Sequence, residues 1–167
     1  SGYCPLELYK DKKIAYNVIQ ITSENFNSKI QQKIQNGLDV FNKDVEGLWW
    51  DMESAKERLK NNWIFNTIED GGEIVSWGWF DPNKDLQGNQ YTFEEYRNKG
   101  MANSITREII MTAKQFNKKI VYGYTDQWNY PQEQQLKRAG WVELQPDRIT
   151  KEKYEERIEY DKNKISK

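Results

Sequence analysis

Apolar residues recur along the chain with the period of strands in some stretches and of helices in others. Residues 14–21 are β-branched and partly alternating, which predicts a strand. Apolar positions then follow helical spacing over 26–34, with Ser23 as a candidate N-cap and Gly37 near the end. Residues 51–62 predict a second helix, whose acidic first residues suit the positive end of the helix dipole.

The next stretch predicts a β-hairpin. Two apolar runs, 63–69 and 73–80, flank Asp70, Gly71 and Gly72. Because this is a tight-turn sequence between two strand patterns, we expect the runs to pair in antiparallel fashion.

A strand–helix–strand unit follows the hairpin. A short strand over 90–96 leads into a helix over 100–116, and another strand covers 118–126. Such crossovers are right-handed and make their two strands parallel. The remaining elements are predicted as one helix and two closing strands: 129–140, 141–146 and 153–162.

This order of elements predicts an α/β fold with a mixed central sheet of six to seven strands and about four flanking helices. The length of 167 residues suits a single domain over 1–167. Hydrophobic residues make up only 37% of the chain, as in some disordered proteins, but seven Trp and 14% aromatic residues indicate a folded, aromatic-rich core.

The charge balance and the sequence pattern narrow the partners. The net charge is −1, from 25 basic and 26 acidic residues, so nucleic acid is not an expected partner and a nucleic-acid modifier is the weakest alternative. No apolar run approaches the roughly 20 residues of a membrane span. Cys4 is the only cysteine, which excludes an internal disulfide and favours a cytoplasmic location.

The absence of histidine excludes several kinds of site. Ser-His-Asp and Cys-His catalysis need an imidazole, and one cysteine cannot replace histidine in a zinc site, so no metal is expected. The remaining groups for chemistry are carboxylates, Tyr, Ser, Thr, Lys and the backbone.

A basic, glycine-containing turn precedes the predicted helix over 100–116. Arg97 and Lys99 flank the step into Gly100 and Ala102, in the pattern R-x-x-G-x-A. A helix N-terminus offers unpaired N–H groups and partial positive charge, and a glycine there lets an anion approach, which predicts a phosphate site. Neither GxxxxGK[ST] nor GxGxxG is present. The alternative is an ordinary helix start with solvated basic residues.

Two motifs in this region resemble those of the GNAT superfamily, the acyl-CoA-dependent N-acyltransferases. "YTFEEYRNKGMANSITREIIMTA" is similar to the family's strand, Q/R-x-x-G-x-G/A turn and long helix. Asn129 followed by "LKRAGW" is similar to a second motif, in which Asn opens a helix ending in a basic residue and Gly-Phe, with Trp141 here in place of Phe. The resemblance covers about 14–160 and is strongest over 75–142.

The resemblance implies a GNAT fold and acetyl-CoA as cofactor, released as CoA. The turn would bind the pyrophosphate through backbone N–H groups, and the strand before it would pair with the pantetheine arm and polarise the thioester carbonyl. The implied cofactor-binding residues are Thr92, Phe93, Arg97, Asn98, Lys99, Gly100, Met101, Ala102, Asn129 and Lys137.

The proton chemistry implied by the family is altered in this sequence. Many members carry a Tyr seven residues after the motif Asn, placed to protonate the leaving thiolate, and Leu136 stands there. Tyr124 and Tyr130 are the replacement candidates, with core packing as their alternative role. Glu94 and Glu95 are candidates for the base that accepts the amine proton.

The resemblance places the acceptor beside the segment between the first two helices. Trp49, Trp50 and Asp51 there would suit a cationic amine. The alternative is that one Trp closes the core and the acid caps the second helix.

Taken together, the sequence predicts an N-acetyltransferase that moves an acetyl group to a primary amine by direct attack in a ternary complex. The expected acceptor is an amine of a small molecule or of a protein, and the sequence is compatible with a homodimer. A GNAT-fold module that binds CoA without turnover is the alternative, favoured by Leu136.

Overall fold

The structure, a computed structural model, describes residues 2–11, 16–45, 50–123, 134, 136–143, 156 and 159. The helices of two turns or more in these residues are α1 (Ser28–Asp44), α2 (Met52–Lys60) and α3 (Met101–Gln115). The strands are β1 (Gly2–Pro5), β2 (Ile19–Ile21), β3 (Ile64–Asp70), β4 (Glu73–Asp81), β5 (Leu86–Thr92), β6 (Ile120–Gly123) and β7 (Val142–Glu143). Short 3-10 helices cover Leu6–Leu8 and Glu94–Tyr96.

All seven strands lie in one mixed sheet. Their order is β2-β3-β4-β5-β6-β1-β7. β5 and β6 are parallel, and every other neighbouring pair is antiparallel. The structure therefore confirms the predicted mixed sheet, the hairpin and the parallel strand–helix–strand unit.

Helices cover both faces of the sheet, as two consecutive residues of β4 show. A Cβ at Gly37 of α1 would lie 3.1 Å from the Trp77 ring, while a Cβ at Gly78 would lie 2.7 Å from Ile105 of α3. Because neighbouring side chains in a strand point to opposite faces, α1 and α3 lie on opposite sides of β4. The α1 face is rich in aromatic residues, and Trp77 and Trp79 are at most 2% exposed.

Helix α1 begins later and continues further than its sequence pattern predicts. The Asn27 side chain accepts a hydrogen bond from the Ile30 N–H at 2.9 Å and so caps the helix in place of Ser23. The helix also continues past Gly37, which packs against the core, to Asp44.

Other bounds differ as well. β5 begins at Leu86 and ends at Thr92, so it occupies part of the stretch predicted as a loop, and residues 94–96 form a 3-10 turn instead of strand. Glu156 and Glu159 are helical, so the closing strand predicted over 153–162 is wrong at these two positions. Tyr154 and Ile158 are four positions apart in the sequence, and this spacing suits a helix as well as a strand.

Strand β1 has no counterpart in the sequence analysis. Residues Gly2–Pro5 pair with β6 on one side, and Gly2 and Tyr3 pair with β7 on the other. Four residues are too few to show a periodic pattern, so the pairing of β1 could not be predicted locally. Within the described ranges, no helix is both long and apolar enough to cross a membrane.

Candidate acyl-CoA site at the end of β5

A β-bulge interrupts β5 before the predicted turn. Trp77 pairs with Tyr91, whereas Trp79 pairs with Gly88, so β5 holds one residue more than β4 over this interval. Asn89 takes up the extra length with φ of 52°, a conformation that Asn tolerates better than most residues. The bulge therefore bends β5 just before the candidate site.

Beyond the bulge, one edge of β5 pairs with no strand among the residues that the structure describes. The described pairing of β5 with β6 ends at Gln87 and Gly123. The Phe93 N–H donates to the Val75 carbonyl of β4 at 2.9 Å. Since backbone groups alternate in direction along a strand, the N–H and C=O of Thr92 point away from β4. We call residues 88–92 on this side the open edge of β5.

The chain then makes a turn in which two residues are left-handed. Asn98 has φ of 62° and Gly100 has φ of 88°, and α3 begins at Met101. We call residues 97–100 the glycine turn. Among the described residues, a Cβ at Gly100 would approach only the Tyr16 ring, at 4.0 Å, so the backbone conformation and not crowding favours glycine here.

The mouth of α3 presents backbone donors. The Ser104 N–H donates to the Gly100 carbonyl at 3.1 Å as the first helical bond, so the N–H groups of Met101 and Ala102 precede the helical ladder. The Arg97 N–H is already bonded to the Glu94 carbonyl at 3.2 Å. Together with the helix dipole, the donors that follow Arg97 make this position a candidate anion site.

The two basic side chains of the glycine turn, Arg97 and Lys99, each contact neighbouring groups of the protein. Arg97 donates to the Thr92 carbonyl and to the Asp44 carboxylate, both at 2.9 Å. The Lys99 Nζ lies 5.7 Å from the Tyr96 ring centroid. The turn is therefore shaped by these side chains as well as by its glycine.

Two tyrosines near the turn donate to carboxylates. The Tyr91 hydroxyl bonds to Asp44 and the Tyr96 hydroxyl bonds to Asp70, each at 2.5 Å. Burial and the bond to Asp44 raise the pKa of Tyr91, and the bond to Asp70 raises the pKa of Tyr96. Both hydroxyls stay protonated at neutral pH and donate to these carboxylates.

The predicted catalytic residues are only partly within the described structure. Glu94 is exposed in the 3-10 turn that follows β5. Tyr124, Tyr130 and Asn129 lie outside the described residues. Leu136 is 7% exposed and packs in the hydrophobic core, so its side chain serves packing.

The other predicted cofactor-binding residues differ in exposure. Phe93 and Met101 are buried, so only their backbone could meet a ligand. Lys137 is exposed on the helical turn before Gly140. In the structure, the first motif runs from the end of β5 through the 3-10 turn and the glycine turn to the start of α3.

On the acceptor side, the described residues serve the fold. Trp50 is 3% exposed, and its ring centroid lies 5.4 Å from those of both Phe65 and Trp79. Asp51 caps α2 by accepting a hydrogen bond from the Ser54 N–H at 2.8 Å. Trp49 lies outside the described residues.

Sequence reasoning missed two residues that meet at the site, Asp44 and Tyr91. Asp44 ends α1 and lies 53 positions from Arg97 in the chain. No local motif links such distant positions, although an acid at the C-terminal end of a helix is unfavourable for the dipole and could have indicated a specific partner.

Comparison with known proteins shows a shared fold at low sequence similarity. No protein-family model matches the sequence, and no curated protein matches it. Among solved structures, the aminoglycoside N-acetyltransferase AAC(6')-Iy in complex with a CoA bisubstrate analogue superposes with a TM-score of 0.63 at 9% identity, covering 83% of this chain and 98% of that one. A GNAT-family acetyltransferase from Staphylococcus aureus gives 0.60 at 14% identity, covering 80% and 90%.

A third solved structure extends the comparison to a protein acetylase. The ribosomal-protein-alanine N-acetyltransferase from Brucella melitensis biovar Abortus has a TM-score of 0.59 at 10% identity, covering 82% of this chain and 99% of that one. The chain therefore has the fold of the GNAT acetyltransferases, as its two motifs predict.

Proposed function

We propose that the chain is an N-acetyltransferase that moves an acetyl group from acetyl-CoA to a primary amine by direct attack in a ternary complex. The observation that carries this proposal is the open edge of β5, which leads through the 3-10 turn and the glycine turn to the mouth of α3. An extended arm that ends in an anion fits such a surface. The similar fold of an enzyme crystallised with a CoA bisubstrate analogue supports it.

In this proposal the cofactor residues act mainly through their backbone. The N–H groups of residues 98–102 hold the pyrophosphate, and Thr92 and Phe93 belong to the strand beside the pantetheine arm. Asn129 bonds near the arm and Lys137 reaches the nucleotide end, as the second motif implies. No metal takes part.

The reacting groups follow from the same placement. Acetyl-CoA supplies the activated acyl group when bound. The Thr92 N–H donates to the thioester carbonyl oxygen, and Glu94 accepts the amine proton, directly or through water. Tyr124 or Tyr130 gives a proton to the leaving sulfur. Positioning of the reactants lowers the barrier by roughly 7–11 kcal/mol. Proton transfer contributes a rate factor of about 10²–10⁴, which corresponds to only about 3–5 kcal/mol. A weak acid would therefore slow the reaction without abolishing it.

The acceptor amine is proposed to enter beside the segment that follows α1, which carries Trp49, Trp50 and Asp51. Trp50 would support this surface from the core. A cytoplasmic location and a homodimer stay predictions.

Gly100→Glu tests the cofactor site. A carboxylate at the mouth of α3 repels the pyrophosphate, so we expect calorimetric binding of acetyl-CoA to be lost. Gly72→Glu is the matched control, since Gly72 has a similar φ of 82° on an open hairpin turn and its variant should bind normally. Binding that survives Gly100→Glu would contradict the site.

A second candidate function is a module that binds CoA without turnover. The buried Leu136, at the position where many family members carry a tyrosine acid, favours it. Release of free CoA from acetyl-CoA, measured with a panel of primary amines, separates the two functions. Turnover on any amine supports the enzyme, and tight binding with no turnover supports the module.

A further inference from the structure

One carboxylate at the end of α1 joins two side chains of the candidate site. The Asp44 Oδ2 accepts hydrogen bonds from the Tyr91 hydroxyl at 2.5 Å and from Arg97 Nη2 at 2.9 Å. Through them, the last residue of α1 is tied to both β5 and the glycine turn.

Arg97 is fixed at three points. Its Nε donates to the Thr92 carbonyl, its Nη2 donates to Asp44, and its guanidinium carbon lies 5.4 Å from the Tyr91 ring centroid. Tyr91 is itself held by an edge contact with Phe41 of α1, at 4.9 Å between ring centroids. The planar guanidinium, which directs donors to two partners at once, fits this geometry, whereas the point charge of lysine does not.

The ion pair adds little to stability. The side chains of Arg97 and Asp44 are 41% and 37% exposed, and ion pairs at such exposure contribute little to the free energy of unfolding. The ion pair between Arg97 and Asp44 therefore matters because it fixes where the Arg97 side chain lies.

The position that matters is the backbone of Thr92. Its N–H and C=O both point to the open edge of β5, since the Phe93 N–H bonds to Val75 on the other side. The Arg97 Nε satisfies the carbonyl at 2.9 Å and leaves the N–H as the backbone donor of Thr92 on that edge. A thioester carbonyl oxygen that approaches this edge can then accept a hydrogen bond from the Thr92 N–H. The Thr92 carbonyl, which would repel that oxygen, is already bonded to Arg97.

We propose that Asp44, Tyr91 and Arg97 form a clamp that orients the Thr92 backbone toward the acyl group and couples α1 to the glycine turn. This inference rests on the proposed acetyltransferase function. In it, Arg97 is a positioning residue, and its side chain does not contact the cofactor pyrophosphate.

The clamp is tested first without any substrate. Solvent exchange of the Arg97 Nε proton, followed by ¹⁵N NMR in the unliganded protein, should be slow in the wild type and at least about tenfold faster in Asp44→Asn. Asp39→Asn is the matched control, because Asp39 also lies on α1 and accepts an exposed bond, from Gln35. Equal exchange in the wild type and Asp44→Asn would overturn the clamp, whatever the activity of the protein.

The second test uses steady-state kinetics and CoA binding. Arg97→Lys keeps the charge but loses the fork, so we expect kcat to fall roughly 10- to 100-fold with less than about a threefold change in the calorimetric Kd for CoA. Arg107→Lys is the control, since Arg107 makes a comparable 2.8 Å ion pair with Asp11 on the surface, and it should behave as wild type. Wild-type kcat in Arg97→Lys, together with salt-dependent loss of CoA affinity in Arg97→Gln, would mean that Arg97 contacts the pyrophosphate and would overturn the proposal.

The two tests separate the clamp from the proposed function. A wild-type protein that turns over no amine removes the acetyltransferase function, and with it the kinetic role assigned to Arg97. The NMR comparison of Asp44→Asn with Asp39→Asn still decides whether the clamp exists.

Discussion

Cys4 illustrates how burial decides the chemistry of a single side chain. It lies in the middle of β1, between β6 and β7, and is fully buried. Burial raises the pKa of its thiol to about 11, against an ordinary value of 9.0. Since the thiolate is the nucleophile, burial makes Cys4 a poor candidate for a covalent relay in acyl transfer.

Cys4 should therefore resist alkylation in the native protein. Two pKa units lower the thiolate fraction at pH 8 by about 100-fold, and burial lowers access further. We expect iodoacetamide labelling, followed by mass spectrometry, to be at least about 100-fold slower in buffer than in denaturant. Rapid labelling of the native protein would contradict the burial of β1.

The raised pKa of the Cys4 thiol also determines how the stability of the protein changes with pH. Below pH 9 the thiol is protonated in both states, so it stabilises the native protein fully there. Between pH 9 and about 11 the unfolded chain loses its proton first, so stability falls with rising pH. Cys4→Ala, as the control in urea titrations, should show a smaller fall over this window.

At the scale of elements, the sequence predicted those helices and strands that short-range sequence patterns determine. The hairpin was predictable because Gly71 and Gly72 form its turn, and α3 because its apolar residues repeat at helical spacing. The start of α1 could not be predicted, since Ser23 and Asn27 are both good N-caps and tertiary packing decides between them. The bulge at Asn89 also left no pattern, because one extra residue only shifts the alternation of β5.

Asp51 provides a prediction at this scale, because its side chain starts α2. We expect Asp51→Ala to lower the thermal midpoint by removing the bond to the Ser54 N–H, and Asp51→Asn to retain it, since Asn caps equally well. The measurement is thermal unfolding followed by circular dichroism.

The same pair of variants separates capping from acceptor binding. If Asp51 only caps, the KM for the amine in Asp51→Asn stays at the wild-type value. A clear rise in that KM at unchanged stability would show that the carboxylate also contacts a cationic acceptor.

At the scale of the molecule, residues 2–11 join distant parts of the fold. β1 lies between β6 and β7, the Leu6 N–H bonds to the Lys119 carbonyl at 2.9 Å, and the Lys10 N–H bonds to the Ala139 carbonyl at 3.1 Å. The sequence pattern predicted no element in residues 2–11, because non-local pairing leaves no periodic signal. The segment that carries Lys137 and Leu136 is therefore held in part by Lys10, which follows β1.

Gly140 tests this long-range contact, because its backbone touches Leu8. A Cβ there would lie 2.4 Å from the Leu8 carbonyl oxygen, and the residue has φ of 100°. Gly140→Ala therefore adds a backbone clash to left-handed strain. We expect it to lower the free energy of unfolding in urea by about 1–3 kcal/mol more than strain alone.

Gly72→Ala measures the strain alone, since Gly72 has φ of 82° and no atom within 4 Å of its Cβ position. The difference between the two variants is then the cost of displacing Leu8 from the helical turn that ends at Gly140. If both variants lose the same stability, the first residues of the chain do not pack against this turn as described. If Gly140→Ala loses more and also weakens CoA binding, the contact made by Leu8 extends its effect to the Lys137 side of the proposed site.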